Sequence, residues 1–488
     1  MSAKWLVILT TVGWSSPTAA LVLTHGNVLS GHTRCFGTRC FRPRLGFSED
    51  PNAPPRRTIA ELPQPQQPAS LLGATALVAG TTVGAGILAL PAKTLAAGFA
   101  PSTAALLCAW LYMASSGLLI AEVNVNTRCA VERSAVSLNT MVDDTLGSAG
   151  SKLAGLAYLF IHYTLLVAYM LQGGTLLLEL LPAPLSSAFG APLFAAGVGG
   201  TMFLSTQPQV ERFNNVLVAG VILTFISLLV LGAPQVDVSM LGRADAMQIL
   251  PAIPVLVLSL VFHNVIPTIA YQLRCDIERI RYAIIVGSLV PTLMFISWDA
   301  VILGVVPFDG AAAALVDPLA ALRGTGDVFG STVRIFSVLA IITSFVGFVY
   351  GLVDFLADAI GWDPPEDFAE EENDAPTAHA VGEEPSADVA RVGRRLALYA
   401  MALLPPLLIA ESDPSLFFAA LDNAGTFGIL VLFGILPPLM VWQQRYGVDA
   451  DPAIDPVLPG GRVTLGLMAG AAAFVVGGET LERISHLF

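Results

Sequence analysis

Two short stretches of this 488-residue chain place backbone, not side chains, where a ligand could bind. The first is GTTVGAGILALP, Gly80 to Pro91, inside an apolar segment that begins at Leu71 and meets no charge before Lys93. Gly costs about 1 kcal/mol in a helix interior and Pro about 3, so this run predicts a break at mid-segment. The second is SLVFHNVIPTIAY, Ser259 to Tyr271, with His263, Asn264 and Pro267 near the middle of another uncharged run. A broken helix exposes unpaired N–H groups at one new end and C=O groups at the other. The N–H end carries roughly +0.5 of a charge and attracts a carboxylate, while the C=O end attracts an ammonium group or a cation. Two facing breaks would therefore hold a zwitterionic amino acid without a charged side chain. The expected carboxylate side is Gly80, Thr81, Thr82, Val83, Gly84, Ala85 and Gly86, and the opposing side is Phe262, His263, Asn264 and Val265. Close glycine packing between two helices is the alternative for the first stretch. Thr81 and Thr82 either contact the ligand or only repair the backbone around the break.

Few side chains could add to this. His263 is the only ionisable group at its break, and it either holds a proton, hydrogen-bonds a ligand, or is satisfied by a neighbouring helix. His162 and Tyr163 lie mid-way along another apolar run, where one ring could cover the ligand or gate access. Adjacent helical residues cannot both face it, and Tyr163 is the expected one. Thr343 and Ser344 offer hydroxyls at the middle of a later run, unless these bond back to their own helix. Glu122, Asp354 and Asp358 read as charges near span ends, with Asp354 the one expected to lie deeper and act in ion or proton coupling. Asp299 interrupts an apolar run and needs water or a hydroxyl as partner. Asp422 and Asn423 stand where an outer gate would be. No nucleophile–base or metal-type constellation appears among these residues, so catalytic and metal sites are not expected.

The elements that must position them are membrane helices. Of the residues 55% are hydrophobic and 12% charged, against a usual charged share of about 25%, so a soluble surface could not be covered. Uncharged stretches of spanning length recur along the chain. They predict eleven spans: 71–97, 101–124, 150–181, 188–206, 212–233, 246–273, 282–306, 331–360, 394–410, 415–442 and 462–480. With the N-terminus inside, the inner loops hold Arg128, Arg133, Lys152, Arg212, Arg274, Arg279, Arg281, Arg391, Arg394, Arg395, Arg445 and Arg462. The outer side holds only Lys93, Arg243, Arg323, Arg334 and Arg483. That asymmetry places the N-terminus on the cytoplasmic or stromal side. Much of the net charge of −13 sits in Asp363 to Asp388, which makes 361–393 a solvated inner loop and not a sign of an acidic protein. No dense basic patch points to nucleic acid, and the five cysteines form no disulfide framework.

Residues 1–48 contain no Asp or Glu. A short apolar core, Trp5 to Val12, fits a secretory signal, and the basic, Ser/Thr/Gly-rich stretch after it is transit-like. Together they resemble the bipartite leader of algae with secondary plastids, which implies a plastid membrane. Residues 49–69 form a Pro/Gln-rich linker.

The two breaks are centred 179 residues apart, at Gly84 and His263. Spans one to five (71–233) and six to ten (246–442) then form two halves, each opening on a broken helix. Because five is odd, the second half is inverted, the arrangement that marks a transporter's midplane site. The eleventh span, 462–480, stands outside the repeat.

GTTVGAGILALP with AAGFAPS (Ala96 to Ser102) resembles the first helix of the aromatic amino acid permeases, the tryptophan/tyrosine permease family. So do VFHNVIPTIAYQLRCDIERIRYAIIVGSLVP (Val261 to Pro291), TSFVGFVYGLVDFLAD (Thr343 to Asp358) and ALDNAGTFGILVLFGILPPLMVW (Ala420 to Trp442). The resemblance covers 70–480. It implies an all-α leucine-transporter-type fold of eleven helices and proton-coupled symport of tryptophan or tyrosine across a bilayer, with no cofactor. In that fold Thr343 and Ser344 would line a sodium site, which keeps sodium coupling, and a broader neutral amino acid substrate, as alternatives. A divalent-metal carrier would need charged oxygen ligands at the first break, and Gly80 to Gly86 offers none. A non-transporting amino acid sensor acting through the acidic loop is the reading from another class.

Overall fold

The computed structural model describes residues 70–84, 86–131, 136–181, 186–308, 317–362, 385–448, 450 and 452–485. The leader (1–48), the linker (49–69), Ala85 and most of the acidic segment 361–393 lie outside the described residues. Contacts divide the chain into two units, 1–56 with 478–488, and 57–477; the description below concerns the second.

Among the described residues ten helices are long and apolar enough to cross a membrane, and a bent pair makes an eleventh span. The bent pair is the first span: Leu71–Thr82 and Gly86–Thr94, which meet at 56°. Ser70 starts it, accepting from the Gly73 amide at 3.0 Å. Val83 ends the first half in an extended conformation (φ −77°, ψ 97°), where the glycines offer no side-chain packing to hold a helix together. The sixth span breaks in the same manner. Ile253–Ser259 ends at Leu260, and a 3₁₀ turn, His263–Val265, leads into Ile266–Gln272 with Pro267 in its first turn, a position where a missing N–H costs nothing.

The other spans are Phe99–Val131 (second), Leu138–Leu180 (third), Ser187–Leu204 (fourth), Gln207–Gly232 (fifth), Ile277–Val305 (seventh) and Val328–Ile360 (eighth). Pro385–Ser412, Phe417–Tyr446 and Gly461–Ser485 complete the set. The third begins twelve residues before the expected 150, because Gly147 (φ 69°) bends the helix without ending it. Residues 138–146 thus form an arm ahead of the bend, which an apolar-run reading leaves in a loop. Pro318–Arg323 adds a short helix between the seventh and eighth spans. The tenth carries a π-helical stretch, Ala424–Ile435.

Packing centres on the broken helices. The first half of span one lies on span seven, and span eight lies on spans three and five. Span ten ties the two ends of the assembly. At its start Asp422 pairs with Lys93 at the end of span one. Near its finish Arg445 pairs with Glu122 at the end of span two. We call the side where span one begins the near side, and the opposite one the far side.

Candidate functional site

The two breaks lie side by side. A Cβ added at Gly86, the first helical residue after one break, would sit 2.7 Å from Ser259 Oγ, the last helical residue before the other. A Cβ added at Gly84 would sit 3.2 Å from Ser344 Oγ, at the middle of span eight. Both glycines therefore do two things at once: they let the chain break and they let two neighbours approach the broken backbone. Beyond the break, Gly86–Thr94 presents an N-terminus, the end that favours a carboxylate. Leu71–Thr82 and Ile253–Ser259 end there with their carbonyls, the ends that favour an ammonium group.

The two threonines serve the backbone. Thr81 donates to the Leu77 carbonyl at 2.7 Å and Thr82 to Val78 at 2.8 Å, each four residues back. Gly80 has open space on its Cβ side. At the second break Phe262 is fully buried, and its ring fills the space a side chain at Gly117 would need. His263 is buried between Phe262 (ring centroids 4.7 Å) and Phe433 of span ten (4.6 Å), stacked on both. Neither ring nitrogen makes a hydrogen bond of good geometry, the neighbouring polar group being the Met113 backbone. Asn264 is exposed and Val265 half-buried, so of the four residues Asn264 is the one with open space before it.

Span three carries a residue that sequence reasoning missed. Tyr169 is buried and hydrogen-bonds Ser344, the side chain that faces Gly84. Its ring packs edge-on against Phe348, with centroids 5.6 Å apart. Tyr163 instead donates to the Met401 carbonyl of span nine at 2.9 Å. The His162 ring packs at a tilt against Tyr158 (4.0 Å) and Phe348 (5.0 Å), and its Nδ1 bonds the Tyr158 carbonyl. At 100° per residue, positions 162 and 169 share one helix face while 163 turns away from it. That seven-residue spacing was the available signal.

Thr343 bonds back to Leu339 (3.0 Å) and Ala340 (3.1 Å), so its hydrogen stays within its own helix. Asp354 and Asp358 are both exposed, near the end of span eight. Glu122 is buried and grips Arg445 with both oxygens, at 2.6 Å each, and also accepts the Val457 amide. Arg445 in turn donates to the Leu458 carbonyl, and Asn126 accepts from the Ala453 amide. The segment after span ten is thus strapped across the near end of span two. At the far end Asp422, beside the buried Asn423, takes Lys93 as its partner. Asp299 is buried next to Trp298, whose indole donates to the Ile87 carbonyl at 3.1 Å. Among the described residues no group of three metal-ligating side chains gathers.

The sequence model of the tryptophan/tyrosine permease family matches residues 67–368 and 388–476. The chain belongs to that family. The tyrosine-specific transport system 1 of Haemophilus influenzae is 28% identical over 385 residues, 77% of this permease and 88% of that protein. A tryptophan-specific transport protein of Shigella flexneri is 31% identical over 407 residues, 79% and 90% respectively. Among solved structures, MhsT in complex with L-phenylalanine superposes with a TM-score of 0.53 at 15% identity, covering 86% of this chain and 99% of that one. The permease therefore has the leucine-transporter-type fold that the family resemblance implies. It is an integral multi-pass transport protein, and its family is not one of enzymes.

Proposed function

We propose that the protein moves tryptophan or tyrosine across its membrane by proton-coupled symport and alternating access. The observation that carries this is the contact of the two breaks, Gly86 against Ser259, with Gly84 against Ser344 beside it. The substrate carboxylate sits on the N–H groups that open Gly86–Thr94, and its ammonium group on the carbonyls that end the preceding half-helices. Tyr169, already a partner of Ser344, offers its hydroxyl to the carboxylate. Asn264 contacts the amino acid from the second break. Phe262 and Val265 shape the wall behind it, and Tyr163 holds span nine at the flank. Lys93 with Asp422 closes the far side, and Glu122 with Arg445 ties down the near side. We place the near side in the cytoplasm or stroma, on the arginine asymmetry, and the host membrane in a plastid, on the leader. The relatives named for tryptophan and tyrosine support the substrate class.

The test is uptake of labelled tryptophan, tyrosine, phenylalanine and leucine into proteoliposomes under an imposed proton gradient and, separately, a sodium gradient. Proton-driven accumulation of tryptophan or tyrosine, with leucine excluded, is the expected result. Sodium-driven uptake alone would replace the coupling ion, and no driven uptake of any of the four would overturn the reading.

A further inference from the structure

Asp299 lies six residues before the far end of span seven, with 1% of its surface exposed. Neither carboxylate oxygen makes a hydrogen bond of good geometry with any described residue. The polar side chain it faces is Thr94, at the end of the second half of span one. Thr94 Oγ1 lies 2.9 Å from the Leu90 carbonyl, and while its hydrogen is held there it turns only lone pairs towards Asp299. A protonated carboxyl has an O–H to place there, and an ionised one does not.

Among the described residues no cation pairs with the charge: Arg243, beside the end of the half-helix, donates to the Leu95 and Ala96 carbonyls. Of the elements packed against span seven, Leu71–Thr82, Ala233–Gln235 and Val238–Leu241 carry no titratable side chain. The half-helix Gly86–Thr94 brings Lys93, which is paired with Asp422. Span two brings the exposed Cys108 and Tyr112, whose hydroxyl serves the Gly434 and Met468 carbonyls. Glu122 and Arg128 of span two, Glu211 and Arg212 of span five, and Tyr271 all belong to the near end of span seven. Asp237, whose amide donates to the Gly304 carbonyl, is exposed at the far end. An isolated buried carboxylate is among the costliest groups to keep ionised.

We propose that Asp299 is the site at which the coupling proton binds, and that its protonation holds the far half of span one against span seven. This rests on the proton-coupled reading above. The same nine-residue half-helix carries the substrate contact at Gly86, the Trp298 anchor at Ile87 and the Asp299 contact at Thr94. Proton and substrate therefore bias one moving element, which is what coupling requires. With the proton bound, the dry contact stands. Once the proton leaves to water, the carboxylate needs hydration and the half-helix must part from span seven. Only the proton changes place in this step, between water and an Asp299 oxygen.

The test uses the full-length protein in proteoliposomes with labelled tryptophan outside and a pH-sensitive dye inside. One pH unit drives roughly tenfold accumulation at one proton per substrate. Asp299→Asn should still exchange tryptophan for tryptophan at a measurable rate, yet reach an accumulation ratio of about 1 and give no dye response. Asp299→Glu should restore driven uptake in part. Wild-type accumulation by Asp299→Asn, with its dye response intact, overturns the proposal. Loss of exchange in Asp299→Asn without rescue by Asp299→Glu also overturns it, because Asp299 is then structural. A wild-type protein that accumulates tryptophan under sodium alone fails the proton-coupled reading itself, a separate result from either variant's.

Discussion

Replacing Tyr169 with Phe removes one oxygen and leaves a ring that packs edge-on against Phe348. That oxygen bonds Ser344, a neutral contact worth about 1 kcal/mol. With substrate bound it faces a carboxylate, and a hydrogen bond to a charged group contributes about 1.5–3 kcal/mol. The difference is about 0.5–2 kcal/mol, so at tenfold per 1.4 kcal/mol affinity for tryptophan should fall about 2- to 30-fold. Tyr163→Phe is the internal comparison. It removes the bond to the Met401 carbonyl, costing about 1 kcal/mol of stability and leaving affinity near the wild-type value. The assay is tryptophan titration of each purified variant by thermal stabilisation, which rises with ligand as RT ln(1 + [L]/Kd), together with KM for uptake. Wild-type affinity in Tyr169→Phe with a large loss in Tyr163→Phe would refute the placement and return the role to Tyr163.

Four further outcomes follow from the same geometry. Gly84→Leu should insert into membranes normally and lose uptake, and Gly84→Ala, whose Cβ would meet Ser344 Oγ at 3.2 Å, should be intermediate; normal uptake by the leucine variant would move the site. Glu122→Ala strands a buried Arg445 (4% exposed) and should cost about 3–5 kcal/mol, measured by thermal unfolding, with partial recovery in a Glu122→Ala, Arg445→Leu double variant. Lys93 and Asp422 are only partly buried (19% and 23% exposed), so a double-mutant cycle should give a coupling of about 1 kcal/mol; zero coupling would remove the pair from the far-side closure. Burial pushes the Cys275 thiol from 9.0 up to about 11, against the opposing pull of Arg128 beside it. Its alkylation at pH 8 should run about 100-fold slower than that of an ordinary thiol, and mass spectrometry showing equal rates would contradict its burial.

Both breaks and the eleven spans were legible because Gly, Pro and polar residues inside apolar runs violate helix chemistry locally, and a local violation can be read without a fold. The back-bonded hydroxyls of Thr81, Thr82 and Thr343 were among the readings left open, and four-residue spacing within one helix is again a local matter. What could not be read is helix phase against distant partners. Tyr163 and Tyr169 lie in the same apolar run, and only the packing of span three on span eight distinguishes them. The pairs Lys93–Asp422 and Glu122–Arg445 are more than 300 residues apart, so each charge was visible and its partner was not. The bend at Gly147 was hidden for another reason: the arm ahead of it is polar on one side and breaks the apolar run before the helix itself breaks.

On the proposed reading, broken backbone around Gly84 and Gly86 holds the substrate by its carboxylate. That contact is measured most directly by competition against labelled tryptophan binding: tryptophan keeps the carboxylate, tryptophan amide replaces it with a neutral group, and tryptamine lacks it. Tryptophan should displace the label, while the amide and tryptamine should need about 10- to 150-fold higher concentration for the same displacement, on the order of the 1.5–3 kcal/mol that such a contact contributes. Equal displacement by tryptamine would rule out a carboxylate contact at the break.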